Sequence, residues 1–284
     1  MKKCLAIVLG MALLGAALIT MSGAQTEGVK SVVRVSGADS MFNRIRVLSK
    51  VFMNAHPAIQ VDLIGGSLVD IGMQELIDNK ADIAMASRSL TVKEDEEAVK
   101  KGVELVERLI GYGGIVIIVN PSNPVNELTV DQVKKIFKGE YTRWDQVGGR
   151  DQFITVVRQD DTQHPGTYLY MVDDFLRGPF ADKSIALTTY PSIMNKVSTT
   201  PASIGFVRQR DAFESPIAKK APIKVLKIKR TPALVGVMPS RETLADSSYA
   251  LRRPYYLYYS TKAGADVVKF ADFIVSKGWG SQDL

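Results

Sequence analysis

The chain has 284 residues, 46% hydrophobic and 23% charged, with 22 glycines and 12 prolines. That composition suits a soluble globular protein of one or two domains and excludes collagen-like, coiled-coil and disordered classes. The net charge of +6 is mild. Its one concentration, Lys219, Lys220, Lys224, Lys227, Lys229 and Arg230, alternates with Val225, Leu226 and Ile228 like a half-exposed strand and lacks interleaved aromatics, so nucleic acid is not an expected partner.

Met1 to Ala24 carries two lysines, a Leu/Ala/Ile/Val/Met run and Ser22-Gly23-Ala24, the pattern of a secretory signal peptide cut after Ala24. No other segment approaches the roughly 20 apolar residues that span a bilayer. The single cysteine, Cys4, lies within the expected signal, so the mature chain has no disulfide, thiolate metal site or cysteine nucleophile.

Along the mature chain, Val29–Val35 reads as a strand ending at Ser36-Gly37-Ala38-Asp39-Ser40. Met41–Ala55 then repeats apolar residues at helical spacing through Ile45, Leu48, Val51 and Phe52. Ile59–Ile64 is the next strand, Gly65-Gly66-Ser67 the next turn and Ile71–Asn79 the next helix, and Ala81–Ala86 is a short strand closing with Ser87-Arg88. Val103–Arg108 and Ile115–Val119 read as separate strands around Gly111-Tyr112-Gly113-Gly114, the second apolar enough to be buried on both faces. Thr129, three residues before Gln132, opens a helix that stops at Lys138-Gly139. Phe153–Val157 is a strand running into Arg158, and a polar loop from Gln159 leads to a helix over Thr167–Leu176. Strands follow at Ile204–Val207, Ile223–Ile228 and Tyr255–Tyr259, and a helix over Ala263–Ser276 closes the chain. Strands alternating with helices imply a mainly parallel α/β architecture.

Three strand-to-helix turns, Ser36–Met41, Gly65–Ser67 and Pro165-Gly166-Thr167, place small or hydroxyl residues where backbone N–H groups and hydroxyls converge on an anion. They fall at the carboxyl ends of strands, where open α/β sheets bind ligands. Arg88 and Arg158 each follow an apolar strand, and a guanidinium is a planar, permanently charged fork suited to an oxyanion. Catalysis finds little support. His56 and His164 are the only histidines, no metal-ligand spacing exists, and no Gly-x-Ser-x-Gly elbow is present. The expectation is therefore a binding protein with neither metal nor cofactor.

Taken together, Ser36-Gly37-Ala38-Asp39-Ser40-Met41, Gly65-Gly66-Ser67, Ala81-Asp82-Ile83-Ala84-Met85-Ala86-Ser87-Arg88, Leu128–Gly139 with Thr142-Arg143-Trp144, Ser203–Val207 and Tyr249–Pro254 closely resemble the substrate-binding proteins of phosphate ABC transporters. The likeness covers most of Val33 to Ser260. It implies a type II periplasmic binding protein fold: two α/β lobes joined by two hinge strands, with the ligand in the cleft. The crossings would fall near Gly111–Ile115 and Arg253–Tyr258, giving a discontinuous first lobe of 25–113 plus 258–284 and a second of 114–257. It further implies a periplasmic, monomeric carrier that hands phosphate to a membrane permease. The family's ligand positions fall on Ser40 and the Met41 N–H, Ser67, Ser87 or Arg88, Arg158, and Gly166-Thr167.

Three departures from the family's pattern bear on the ligand. Leu68-Val69-Asp70 follow Ser67 where glycines are usual, and Pro165 removes a hydroxyl and an N–H. The carboxylate that accepts the proton of hydrogen phosphate has no secure match, which leaves Asp39 and Asp70 as candidates for telling phosphate from sulfate. The alternatives are another oxyanion, such as sulfate, molybdate or tungstate, or a periplasmic sensor that has kept the fold.

Overall fold

The computed structural model describes residues 31–64, 68–162 and 165–279. The signal segment with Cys4, the turn Gly65-Gly66-Ser67 and His164 lie outside them. The alternation expected from the sequence begins at once. β1 (Ser31–Gly37), α1 (Asp39–Ala55), β2 (Ile59–Leu63), α2 (Val69–Ile77), β3 (Ile83–Ala86) and α3 (Val92–Lys100) build a parallel β2-β1-β3 layer. Its core includes Val33, Val35, Met41, Ile45, Leu48, Phe52 and Met85, all fully buried. At about 1.5–3 kcal/mol per large apolar side chain, this burial holds α1 and α2 on the sheet.

Next comes β4 (Leu105–Val119), one strand where the glycine run predicts a break. Gly111 explains why the chain passes through. It adopts φ +143°, which a side chain resists, and a Cβ there would come within 2.3 Å of the Trp279 Cβ. Beyond Gly114 the strand enters a second core, burying Ile115, Ile117 and Val119 on one face and Val116 and Ile118 on the other.

The second body then unfolds in order. β5 (Glu127–Thr129) precedes α4 (Val130–Lys138), whose Thr129–Gln132 capping box and left-handed Gly139 are as expected. β6 (Thr155–Gln159) leads to α5 (Pro165–Leu169), and the expected Thr167–Leu176 helix widens along its length, its Tyr170–Leu176 portion being π-helical. After β7 (Ile185–Leu187) come α6 (Tyr190–Thr199), β8 (Ser203–Arg208) and α7 (Gln209–Phe213). The basic segment forms two short strands in different sheets, β9 (Lys224–Val225) and β10 (Lys227–Lys229), because Leu226 between them turns fully into the core. α8 (Arg241–Ala245) precedes the return strand β11 (Arg252–Ser260), and α9 (Ala265–Lys277) packs on the first core through Val267, Phe270, Ala271 and Ile274.

The sheet order is β2-β1-β3-β11-β4-β8-β6-β7, with β9 beside β4. β4 and β11 run antiparallel through both bodies, and their register slips between Tyr255 and Tyr256, opposite Gly111. Two lobes sharing two strands form the expected architecture.

Candidate functional site

Strand direction defines where a ligand would sit. β4 runs from the first lobe into the second. β3 lies antiparallel to β11, and β11 antiparallel to β4, so β1 and β3 also point toward the second lobe. β8 is antiparallel to β4 and parallel to β6, so β6 and β8 point back toward the first. The carboxyl ends of both sets therefore oppose each other across one gap, and α1 touches α5 there. This opposition gathers turns far apart in sequence.

On the first lobe, Ser36 at the end of β1 donates from its hydroxyl to Glu75 on α2. Ser40 lies in the first turn of α1, and its Oγ is buried without a hydrogen-bond partner. Asp39 is exposed in that turn, where its charge suits the helix dipole, while Ala38 occupies the cap position. The Met41 N–H donates to the Ala38 carbonyl at 2.9 Å, and its side chain belongs to the core. Ser87, after β3, is buried.

Arg88 turns to carboxylates. Its guanidinium donates to both Glu94 oxygens at 2.8 Å and to Asp70. Hydrogen bonding to Glu94, outweighing partial burial and helped by Asp70, raises the guanidinium above its usual range. Burial pushes the Glu94 carboxyl up, but the hydrogen bonds from Arg88, the Thr91 N–H and the Thr91 hydroxyl together hold it below the ordinary carboxylate value. Glu94 arrives here as the third residue of the α3 capping box begun by Thr91. That spacing is readable as a helix start; its role against Arg88 is not.

On the second lobe, Arg158 donates from Nε to Ser184 Oγ at 2.9 Å and from Nη1 to the Gln159 carbonyl at 3.2 Å. Its guanidinium lies beside the rings of Phe180 and Tyr168. Thr167 is buried and its hydroxyl accepts from Tyr190 at 2.8 Å. Beside Tyr190 stacks Arg208, whose Nε donates to Asp211 at 2.6 Å. The Gly166 carbonyl accepts from Arg253 Nη1 at 2.9 Å. Tyr170, whose phenol burial pushes up to about 12, donates to the Arg252 carbonyl at 3.1 Å and ties the π-helical turn to the hinge. The expected residues thus fall into groups: Arg88 with Asp70, Gly166 against the hinge, Thr167 against Tyr190, and Arg158 held by Ser184. Ser67 lies outside the described residues.

Two α/β lobes that share two strands and oppose their strand ends across a gap define a two-lobed ligand-binding protein of the type II periplasmic class. A domain model of the PBP superfamily matches residues 22–277, and the chain belongs to that superfamily. It is similar to the phosphate-binding protein PstS of Borreliella burgdorferi, 27% identical over 233 residues, 79% of this chain and 76% of that protein. The PstS of Staphylococcus saprophyticus is likewise 27% identical over 257 residues, 88% of this chain and 78% of that one. Among solved structures, an ABC-type phosphate transport receptor from Vibrio cholerae superposes with a TM-score of 0.70 at 24% identity, covering 85% of this chain and 93% of the other. No helix among the described residues is long and apolar enough to cross a membrane.

Proposed function

We propose that the protein captures inorganic phosphate between its lobes and delivers it to an ABC permease without chemical change. Its similarity along most of its length to proteins named for phosphate binding carries this reading, and the opposed strand ends support it. A tetrahedral anion needs donors from several directions, and helix N-termini, hydroxyls and guanidinium groups supply them. Ser40, Met41, Ser67, Ser87, Arg88, Arg158, Gly166 and Thr167 are the positions we assign around it. The chain is secreted across the inner membrane by a signal peptide cleaved after Ala24, and acts in the periplasm as a monomer with lobes of 25–113 plus 258–284 and 114–257.

Thermal unfolding of the purified mature protein with phosphate, sulfate, molybdate or tungstate tests the assignment. Phosphate at about 100 times its dissociation constant should add about 2.7 kcal/mol to stability. A larger shift with another of these anions replaces phosphate as the ligand, and no shift with any of them sinks the oxyanion reading.

A further inference from the structure

We propose, resting on the phosphate reading, that Arg253 on the hinge strand β11 supplies the positive charge that the captured anion neutralises. It is fully buried, at 0% exposure, which no other arginine among the described residues matches. A guanidinium withdrawn from water requires a partner charge or a full set of acceptors. Arg34, Arg88 and Arg208 have such partners, in Asp82 at 2.8 Å, Glu94 at 2.8 Å and Asp211 at 2.6 Å. Arg253 forms no ion pair among the described residues. Nη1 reaches the Gly166 carbonyl, Nη2 stands at 3.5 Å from the Tyr255 hydroxyl, and Nε has no hydrogen-bond partner. The rings of Tyr255 and Tyr170 lie 5.4 and 6.0 Å from the guanidinium carbon and leave it in a largely apolar enclosure.

Its place in the fold decides which anion can answer it. Arg253 pairs with Gly113 of β4, so its backbone belongs to the hinge, while its side chain touches the start of α5 on the second lobe. α5 meets α1, and α1 carries a buried hydroxyl without a hydrogen-bond partner, Ser40 Oγ, in its first turn. A tetrahedral oxyanion entering with the lobes apart and held as they close would give the Nε proton its missing acceptor and remove the uncompensated charge. The same anion would give Ser40 Oγ a partner from the first lobe. A guanidinium edge offers two parallel N–H donors to two phosphate oxygens, whereas the compact ammonium of lysine offers a point charge.

The experiment is calorimetric titration of inorganic phosphate into the wild type, Arg253→Gln, Arg253→Lys and, as an exposed basic control, Lys219→Ala. Arg253→Gln should weaken phosphate about 100-fold and Arg253→Lys about 10-fold, while Lys219→Ala keeps wild-type affinity. Because Arg253→Gln can fail to fold, the Nε–H resonance of Arg253 is also followed in ¹⁵N-labelled wild type, assigned by its loss in Arg253→Lys. Saturating phosphate should shift that resonance and slow its exchange with water. A folded Arg253→Gln within threefold of wild-type affinity, or an Nε–H signal that phosphate leaves in place, overturns the inference while the phosphate reading stands. A wild type that phosphate does not bind overturns both.

Discussion

The rim of the first lobe and the hinge treat their arginines in opposite ways. At the rim, Arg88 is met by Glu94 and Asp70, so a cation expected to face the ligand is neutralised by its own surroundings. At the hinge, Arg253 is buried more deeply and forms no ion pair with any carboxylate among the described residues. Charge available to an anion is therefore not a count of arginines near strand ends. It depends on which of them the protein leaves unanswered, and a neutralised arginine contributes mainly by geometry.

The largest effect that can break this contrast lies in the hinge itself. Gly111→Ala forces a side chain into φ +143° and against Trp279, whose Cβ stands 2.3 Å from the new Cβ. We expect a loss of about 3 kcal/mol in urea unfolding, from backbone strain and displaced packing together. A loss below about 1 kcal/mol would show that the Trp279 contact gives way freely and that the hinge is not held as described.

Next, Asp211→Asn would convert a second arginine to the condition of Arg253. Arg208 keeps 21% of its side chain exposed, stacks on Tyr190 and relies on Asp211 for its charge. Burial lowers its tendency to stay charged, but Asp211 and the neighbouring phenols outweigh it and raise the guanidinium above its usual range. Stripping that carboxylate should cost about 2 kcal/mol, less than a fully buried broken pair because water reaches part of the group. An unchanged midpoint of unfolding would mean that the surroundings tolerate an unanswered guanidinium, which would weaken the argument for Arg253 as well.

Much of this was legible beforehand, and the illegible part has a physical pattern. Local chemistry showed through: the Ser36–Met41 turn, the Thr129–Gln132 cap and the apolar runs of β3 and β4 all lie where spacing puts them. α6 did not: no element is expected there from the sequence, although Pro191 stands in its first helical turn behind a Thr189 cap. β4 looked broken because Gly111-Tyr112-Gly113-Gly114 is a turn by composition, and only the packing of Trp279 and Tyr255 on those glycines makes it a strand. Arg253 stands before a proline in a doubly basic segment, and the sequence marks it only as the start of a hinge crossing. Nothing local announces that it will be fully buried.

Glu94→Gln sharpens the comparison from the rim side. Since the folded carboxyl lies below its unfolded value, its ionised form stabilises the protein above the unfolded pKa of about 4.3, and that contribution is lost as pH falls through the lower folded value. The variant should lose about 1 kcal/mol at pH 7, less than Asp211→Asn because Asp70 remains with Arg88. Its stability should also fall less steeply below about pH 4.3. Freed of one carboxylate, Arg88 should gain affinity for phosphate by about threefold, as calorimetry at pH 7 would read. A weaker affinity would show that Glu94 positions Arg88 for the ligand.

The smallest effect concerns Asp70, which the sequence offers as a selector between phosphate and sulfate. A carboxylate facing the ligand attracts the proton of hydrogen phosphate and repels sulfate, which has none to give at neutral pH. Here Asp70 is 69% exposed, and one of its oxygens accepts from Arg88. An exposed ion pair contributes little to stability, so Asp70→Asn should shift the unfolding free energy by no more than about 0.5 kcal/mol. Its influence on binding should pass through Arg88: the loosened guanidinium strengthens both anions by a similar factor of about two and leaves their ratio as in the wild type. Parallel titrations of phosphate and sulfate into the wild type and the variant measure that ratio. If the variant instead loses its preference for phosphate while sulfate alone gains, then Asp70 meets the ligand directly. The rim would then select by its free carboxylate, and the hinge arginine would supply affinity without choice.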